Sequence, residues 1–433
     1  MRLNNININI IKIMSFLAYL IPLSLLTGPF LPDLFLVIIS LLFIFYTFSN
    51  KIYYYFKSKF FLIFIVFFIY LIINSTLSEY PYFSLKSSLF YIRYGIFTLS
   101  IWFLIDKEIN FKKYFFYGIL IAFFLALFDG YFQFIFGSSI FGYEEAVSNY
   151  RLNLVYSNGW ALGSYLVRLF PLLLALFIYN IKINNVNLIL MLSLWILIDV
   201  LIYLSGERSA IALMLLSQVF IILLLKEFKF IRISSFIVSI FVILVFTISN
   251  PGIKQRNIDL TLSQIGIGQG KLNYFSILHQ GYLITGISMF KSNPIFGLGV
   301  NNYRNYCSAK EYEYISRYST ESYTYSACST HPHNNYLQLL AETGIVGILF
   351  ILILILYFTK SISMQIYFKI RKKVDLYVYD DYQISLVACF LITLWPIVPT
   401  MNFFNNWINI FYFLPVGFYL HSIYTKKLIN NKK

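Results

Sequence analysis

The chain has 433 residues and a formal net charge of +15, with 59% of its residues hydrophobic and only 12% charged. A mean hydropathy of +0.73 excludes an ordinary soluble domain, because no water-soluble fold needs so much apolar surface. Three cysteines are too few for a disulfide-rich scaffold. The apolar residues form long continuous runs, which predict an all-α polytopic membrane protein and not a transmembrane barrel.

In chain order we predict about twelve spans, several of them short enough that ten or eleven is the alternative count. They are residues 10–27, 31–48, 60–77, 89–105, 114–136, 160–179, 188–204, 209–225, 233–248, 335–358, 384–398 and 408–424. Each approaches the roughly 20 residues that a helix needs to cross the hydrocarbon. No small-residue cleavage site follows the first run before Pro29, so this run is expected to remain as an uncleaved span.

The basic residues set the predicted orientation. With a cytoplasmic N-terminus, the inner loops and the C-terminal tail hold nineteen lysines and arginines, and the short outer loops hold three. The nineteen are Lys51, Lys57, Lys59, Lys107, Lys112, Lys113, Lys182, Lys226, Lys229, Arg232, Lys360, Lys369, Arg371, Lys372, Lys373, Lys426, Lys427, Lys432 and Lys433. The three are Lys86, Arg151 and Arg208. This asymmetry follows the positive-inside rule, so both termini are predicted to be cytoplasmic and the net charge does not indicate nucleic acid.

One long connection divides the chain into three parts. Residues 1–250 carry spans one to nine, residues 251–334 form a large outer loop, and residues 335–433 carry spans ten to twelve and the tail. The many tyrosines of the loop argue against disorder, and its residues 275–291 are expected to form a helix on the membrane surface. Cys307 and Cys328 also lie in the loop, where a disulfide is one hypothesis and two free thiols are the other.

Four ionisable residues fall inside predicted spans, where their cost makes them functional candidates. They are Arg93, Asp129, Arg168 and Asp199. Counted from the outer ends of their spans at about 1.5 Å per residue, all four lie in the outer half of the membrane. Arg168 and Asp199 fall at similar depths on consecutive spans, so we predict an ion pair, which either lines an outward cavity or only stabilises the bundle. Arg208 lies at the outer end of the following span, either as an anion-binding group, as a topological charge or as a partner of Glu207.

The densest set of acid–base groups lies at 329–347, STHPHNNYLQLLAETGIVG, which contains His331 and His333. Pro332 suits the first turn of a helix, and His333 would then lie at the positive N-terminal end, where anions bind. A neutral histidine there could take a proton from an acceptor hydroxyl as it attacks an anomeric carbon. The alternative is a helix cap or a buried hydrogen-bonding partner. No metal site is expected, because histidines two apart across a proline do not share a helical face.

Three motifs point to one family. HPHNNYLQLLAETGIVG at 331–347 closely resembles the signature of the bacterial O-antigen ligase and polymerase superfamily. SGERSA at 205–210 is similar to the SGSR-type motif of that family, and NPIFGLGVNNYR at 293–304 is similar to its P-x-x-G-x-G segment. The resemblance is specific over roughly residues 204–358, and it implies a GT-C-like, all-α membrane fold with one large periplasmic loop.

Members of this family transfer a glycan from undecaprenyl pyrophosphate to a periplasmic acceptor by a metal-independent inverting mechanism. By this resemblance His333 is the acceptor-activating base and Arg208 binds the donor pyrophosphate. Many members carry a second essential arginine shortly before the P-x-x-G-x-G segment. Here no arginine lies between Arg256 and Arg304, and His279 stands in the matching region. We therefore expect His279, Arg256 or Arg304 to take the second phosphate-binding role. Supporting roles are predicted for His331, Asn334, Glu342, Arg168 and Asp199, with Glu342 either in the site or only shaping its helix.

The leading prediction is an O-antigen ligase-type glycosyltransferase of the bacterial inner membrane, which joins an undecaprenyl-linked glycan to lipid A–core in lipopolysaccharide biosynthesis. A polymerase that extends a lipid-linked repeat is the close alternative, and a protein O-glycosylating member is the third. A transporter of the same glycans would need polar groups through the midplane, broken helices and paired repeats. The expected partners are the lipid-linked donor, lipid A–core or a glycan acceptor, and membrane lipid, with no nucleic acid and no cofactor.

Overall fold

A computed structural model describes residues 2–141, 151–153, 160–181, 184–227, 229–266, 275–313, 315–317 and 324–430. Its α-helices are α1 (Arg2–Ser24), α2 (Phe30–Ser49), α3 (Lys59–Thr76), α4 (Pro81–Ser88), α5 (Ile92–Lys107), α6 (Phe111–Phe136), α7 (Leu162–Asn180), α8 (Asn185–Leu204), α9 (Arg208–Leu224), α10 (Lys229–Ser249), α11 (Pro251–Lys254), α12 (Leu260–Ile265), α13 (Ile277–Ser292), α14 (Tyr303–Tyr306), α15 (Asn335–Ile370), α16 (Asp381–Thr393) and α17 (Asn406–Asn430). Short 3₁₀ turns lie at Leu25–Thr27, Tyr55–Lys57, Leu89–Tyr91 and Val374–Leu376, and a π-helical turn lies at Gln255–Asp259. Strands β1 (Ile315–Arg317) and β2 (Thr324–Ser326) pair antiparallel.

Every predicted span coincides with a helix: α1, α2, α3, α5 to α10, and α15 to α17. Within the described residues, nine helical stretches are long and apolar enough to cross a membrane, and α9 and α16 are shorter apolar helices. The remaining helix, α17, has 25 residues. The prediction of an all-α polytopic membrane protein is confirmed.

Contacts between helix ends show which ends of four spans lie together. At one end the backbone N–H of Lys226, after α9, donates to the carboxylate of Asp381, at the start of α16, over 3.0 Å. At the other end the indole N–H of Trp407, at the start of α17, donates to the carbonyl of Leu25, after α1, over 3.0 Å. We term these the basic end and the loop end, since 250–334 leaves the bundle at the second. The compartment that each end faces stays a prediction.

The centre of the bundle is formed by the most buried spans. The most apolar stretch of α7 is 83% buried, whereas that of α10 is only 22% buried. The largest helix contacts join α7 to α16 and α5 to α17. The apolar outer faces of peripheral helices such as α10 are therefore available to lipid, as expected for a membrane bundle.

The predicted ion pair between Arg168 and Asp199 is wrong. Asp199 instead pairs with Arg232 of α10, with Nη2 and Oδ1 3.2 Å apart and both side chains almost fully buried. Asp199 also accepts hydrogen bonds from the Gln218 amide at 2.6 Å and the Ser239 hydroxyl at 3.2 Å. Gln218 lies more than halfway along α9, counted from the loop end. Its partner Asp199 is therefore nearer the middle of the bundle than predicted.

Arg232 therefore corrects the count of inner-loop charges. Its guanidinium is buried between the rings of Phe170 and Trp195, 4.9 and 4.7 Å from their centroids. It neutralises an intramembrane carboxylate and is not an exposed loop charge. Three residues of that count lie outside the described residues: Lys182, Lys432 and Lys433.

The other two ionisable candidates lie near the loop end with their own partners. Arg93 Nε is 2.9 Å from the carboxylate of Asp33 on α2. Asp129 is buried and accepts from the Ser139 hydroxyl at 2.8 Å and the Ile140 backbone N–H at 2.9 Å. Both residues join neighbouring segments of the bundle at this end.

The long loop is folded against the bundle. The helix expected at 275–291 is present as α13, which packs on α15, while its position on a membrane surface stays a prediction. Cys307 and Cys328 are joined by a disulfide, so that hypothesis is confirmed. The bond ties the end of α14 to the segment that follows β2.

Candidate active site

His333 lies in a tight turn directly before α15. Its backbone is left-handed, with φ 51°, and its carbonyl accepts a 2.8 Å hydrogen bond from the backbone N–H of Thr400. The helix begins two residues later, at Asn335. The prediction that Pro332 opens the helix is therefore wrong, and His333 precedes the helix cap instead of lying in the first turn.

Asn334 is that cap. Its side-chain oxygen accepts from the backbone N–H groups of Tyr336 and Leu337, both at 3.0 Å, which satisfies two of the free donors of the first turn. Its amide also donates to the carbonyl of Pro396 at 2.7 Å. The supporting role predicted for Asn334 is thus to fix where α15 starts, and through this the position of His333.

Three more rings surround the His333 imidazole. The ring centroids of His331 and Tyr282 are 4.1 and 5.0 Å away, and that of His279 is 6.3 Å away. His279 and Tyr282 are three residues apart on α13 and so share one face. The Nδ1 atom of His279 is 2.7 Å from the hydroxyl of Ser276. The structure therefore brings the predicted residues His279, His331 and His333 into one cluster.

All three imidazoles favour the neutral form. Burial lowers the pKa of His333, and the nearby charge of His279 lowers it further. Burial and then repulsion by Arg208 lower the pKa of His279. Burial, followed by repulsion from His333, lowers the pKa of His331 to about 3. At neutral pH each ring therefore has one unprotonated nitrogen, and that of His333 is able to accept a proton.

Arginines gather beside the histidine cluster. The Nη1 group of Arg208 donates to Thr261 and Gln264 at 3.2 and 2.9 Å. Arg256 donates to the carbonyl of Gly206 at 3.2 Å. Burial lowers the pKa of Arg256 to about 10, and repulsion from Arg151 and Arg208 adds to that effect. Three like charges at one place favour binding of a polyanion, and guanidinium groups match phosphate oxygens in geometry.

Glu207 is not the partner of Arg208. It is buried, and its carboxylate accepts from the backbone N–H of Gly163 at 2.7 Å and from the hydroxyl of Ser164 at 2.7 Å. It therefore caps the start of α7. Among the described residues, no carboxylate forms an ion pair with Arg208.

Arg304 lies on the other side of the histidines. It donates to the side chain of Asn301 at 3.2 Å, and its guanidinium is 5.6 Å from the ring of Phe83. Its charge contributes to the lowered pKa of His331. Of the predicted donor-binding residues, Arg208 and His279 are thus brought together, while Arg304 faces His331.

Glu342 holds the P-x-x-G-x-G segment against α15. Its carboxylate accepts from the backbone N–H groups of Asn301 and Tyr303 at 2.9 and 3.0 Å. The backbone N–H of Gly299 donates to the Glu342 carbonyl at 2.9 Å. At Gly344 the helix is interrupted by a left-handed residue, with φ 63° and ψ −165°. Two of the three motifs are therefore one folded unit, and Glu342 shapes it.

Sequence reasoning missed Arg151 and Tyr282 as site residues. Arg151 was counted only as an outer-loop charge, yet its guanidinium lies 4.3 Å from the ring centroid of Trp160 and near Arg208. Tyr282 was detectable by its spacing of three from His279 on a predicted helix. Arg151 had no such signal, because only the tertiary fold brings it to Arg256.

A comparison with family models identifies this part of the chain. Residues 188–352 match the model described as O-antigen ligase. This match supports the O-antigen ligase and polymerase superfamily for that part of the chain. The matched O-antigen ligase region contains Arg208, Arg256, His279, His333 and Glu342, and so includes most of the candidate site. No curated protein matches the chain. Within the described ranges, no three His, Cys, Asp or Glu residues gather where they could hold a metal ion.

Proposed function

We propose that this superfamily member transfers a glycan from an undecaprenyl-pyrophosphate donor to lipid A–core, on the periplasmic side of the inner membrane. The observation that supports the proposal is the position of His333. It is a neutral imidazole beside His279, which in turn interacts with Arg208 of the arginine cluster. A base and an anion-binding group are the two elements that this transfer needs.

In the proposed reaction His333 removes the proton from an acceptor hydroxyl. The hydroxyl oxygen then forms a bond to the anomeric carbon, from the face opposite the pyrophosphate. The bond between that carbon and the pyrophosphate oxygen breaks with its electron pair, and undecaprenyl pyrophosphate leaves. Arg208, Arg256 and Arg151 stabilise the charge that develops on the leaving group. Arg256 thereby takes the role of the second arginine, while His279 lies beside the base and near Arg208.

The test is glycan transfer by the purified full chain with a defined undecaprenyl-pyrophosphate donor. We expect His333→Ala to lower the rate by roughly 10²- to 10⁴-fold, since it removes a general base. Arg208→Ala should lower it by roughly 10²- to 10³-fold, since it removes charge stabilisation. His421→Ala and Arg371→Ala, both at the basic end, are the matched controls. Transfer at the wild-type rate by His333→Ala or Arg208→Ala would refute the proposal.

Ligase and polymerase share the donor and differ in the acceptor, so the assay carries both lipid A–core and a lipid-linked repeat. Product on lipid A–core alone supports the ligase, and elongation of the lipid-linked repeat alone supports the polymerase. A deletion strain gives an independent measurement. Loss of a ligase leaves lipid-linked polymer to accumulate, whereas loss of a polymerase leaves single repeats on the core.

A further inference from the structure

Arg168 is a buried cation with donors that no other described group accepts. It lies on α7, and only 5% of its surface is exposed. Its Nε and Nη1 atoms have no hydrogen-bond partner within the described part of the chain. A guanidinium removed from water without an acceptor costs free energy, so this position is suited to an anion.

No described neighbour forms an ion pair with Arg168. Its main electrostatic interactions are with the hydroxyl of Tyr412 and, next, with Glu207. The tyrosine is uncharged, and both carboxylate oxygens of Glu207 already accept from the start of α7. Asp199, which the sequence suggested as a partner, is occupied by Arg232.

Arg168 lies behind the His333 turn. Tyr412, on α17, accepts a 2.7 Å hydrogen bond from the side chain of Asn335, the first residue of α15. Asn335 in turn accepts from the Thr400 hydroxyl at 2.9 Å. The backbone N–H of Thr400 donates to His333. One chain of contacts therefore connects the unpaired cation to the proposed base.

An apolar groove of about 460 Å³ begins at the same place. Asn335 and Tyr412 line its loop end, and Lys59 and Tyr424 line its basic end. Along α17 its lining runs from Tyr412 to Tyr424, a length of roughly 18 Å at 1.5 Å per residue. The groove is therefore deep enough for a stretch of apolar chain about one leaflet long, since the whole hydrocarbon layer is about 30 Å thick.

We propose that Arg168, with Tyr412, binds a phosphate that carries a long apolar chain, and that the part of this chain nearest the phosphate lies in the groove between α15 and α17. The inference rests on the proposed function, which supplies a lipid-linked phosphate as substrate. Arg168 would hold the phosphate nearest the lipid, while the Arg208 cluster contacts the sugar side. The combination of a buried cation, a hydroxyl and an adjoining apolar groove is what recognition of such a lipid requires.

The test is binding of polyprenyl monophosphate and polyprenyl pyrophosphate to the full chain in lipid nanodiscs. We expect Arg168→Gln to weaken both by roughly 10- to 100-fold, as for loss of a charged hydrogen-bonding group. Tyr412→Phe is a second variant and should weaken both by at least about threefold. Arg93→Gln is the control, since Arg93 lies at the same end but is paired with Asp33, and it should bind as wild type.

A thermal measurement separates ligand binding from a structural role. Without ligand, Arg168→Gln should melt at or above the wild-type temperature, because an unpaired buried charge has been removed, while Arg93→Gln should melt lower. With polyprenyl phosphate, wild type should gain stability and Arg168→Gln should not. A ligand-free Arg168→Gln protein that melts lower and binds as wild type would overturn the proposal. The proposal would also be overturned if wild-type protein bound inorganic pyrophosphate as tightly as the polyprenyl phosphates.

The two proposals fail in different ways. Wild-type protein that binds polyprenyl phosphate through Arg168 but transfers no glycan would refute the proposed function and leave the lipid-phosphate site standing. If wild-type protein transfers glycan and Arg168→Gln keeps the wild-type affinity for polyprenyl phosphate, the lipid-phosphate site is refuted and the proposed function stands.

Discussion

Gly297 offers a direct test of how the P-x-x-G-x-G segment supports the site. It has a left-handed φ of 70°, and a Cβ built on it would lie 2.5 Å from the carbonyl carbon of Glu342 and 2.6 Å from the nitrogen of Gly344. These are backbone atoms at the break in α15, so they cannot move aside as a flexible side chain would. Gly297→Ala should cost about 1–2 kcal/mol for the left-handed backbone and about 1–3 kcal/mol for the overpacking.

The total loss of folding stability in Gly297→Ala, about 2–5 kcal/mol, should appear as a lower thermal midpoint of the purified protein. It should also reduce transfer more than tenfold, because the break lies within the helix that His333 precedes and small displacements of reacting groups are costly. Gly137→Ala is the matched control. Gly137 is left-handed, with φ 80°, at the end of α6, and should lose only the backbone contribution. If both variants melted alike and Gly297→Ala kept full transfer, the role assigned to this segment would be wrong.

Three further predictions concern stability. The pKa of His331 is about 3 in the folded chain against an ordinary 6.5, so the unfolded state binds the extra proton between these values. Stability should therefore fall as pH drops below 6.5, by about 2 kcal/mol at pH 5. If the thermal midpoint of His331→Gln fell with decreasing pH as steeply as that of wild type, this prediction would be wrong. Reducing the Cys307–Cys328 bond should cost up to about 3 kcal/mol, measured as a lower midpoint with reductant in wild type and no change in the double serine variant. Asp199→Asn and Arg232→Gln should each cost about 3–5 kcal/mol, and the double variant less than their sum; strict additivity would argue against the pair.

The helices were predictable because membrane spans are continuous apolar runs, and each run needs no tertiary information to be recognised. The partners that residues find across the bundle were not predictable. Arg168 and Asp199 have similar positions in consecutive spans, but the sequence does not say which face of each helix meets its neighbour. Arg232 follows two lysines and so looks like a loop residue, although α10 begins before it.

The site was partly predictable, because several of its residues lie in short motifs that can be recognised without tertiary information. His333, Arg208 and Glu342 lie in motifs, and His279 lies where a motif residue was expected. Arg151 and Arg256 lie far apart in the chain and meet only because two separate segments fold over the start of α9. The break at Gly344 was also missed, because a glycine inside an apolar helix is usually tolerated without interruption.

The buried pair of Asp199 and Arg232 also bears on how the chain enters a bilayer during synthesis. A carboxylate at the centre of a lone helix costs about 2.5–3.5 kcal/mol on insertion, and the residue that neutralises it comes 33 positions later. At roughly 5–20 residues per second, α8 waits about 2–7 s for α10 to emerge. The three helices α8 to α10 are therefore best released into lipid together, with Asp199 already paired to Arg232.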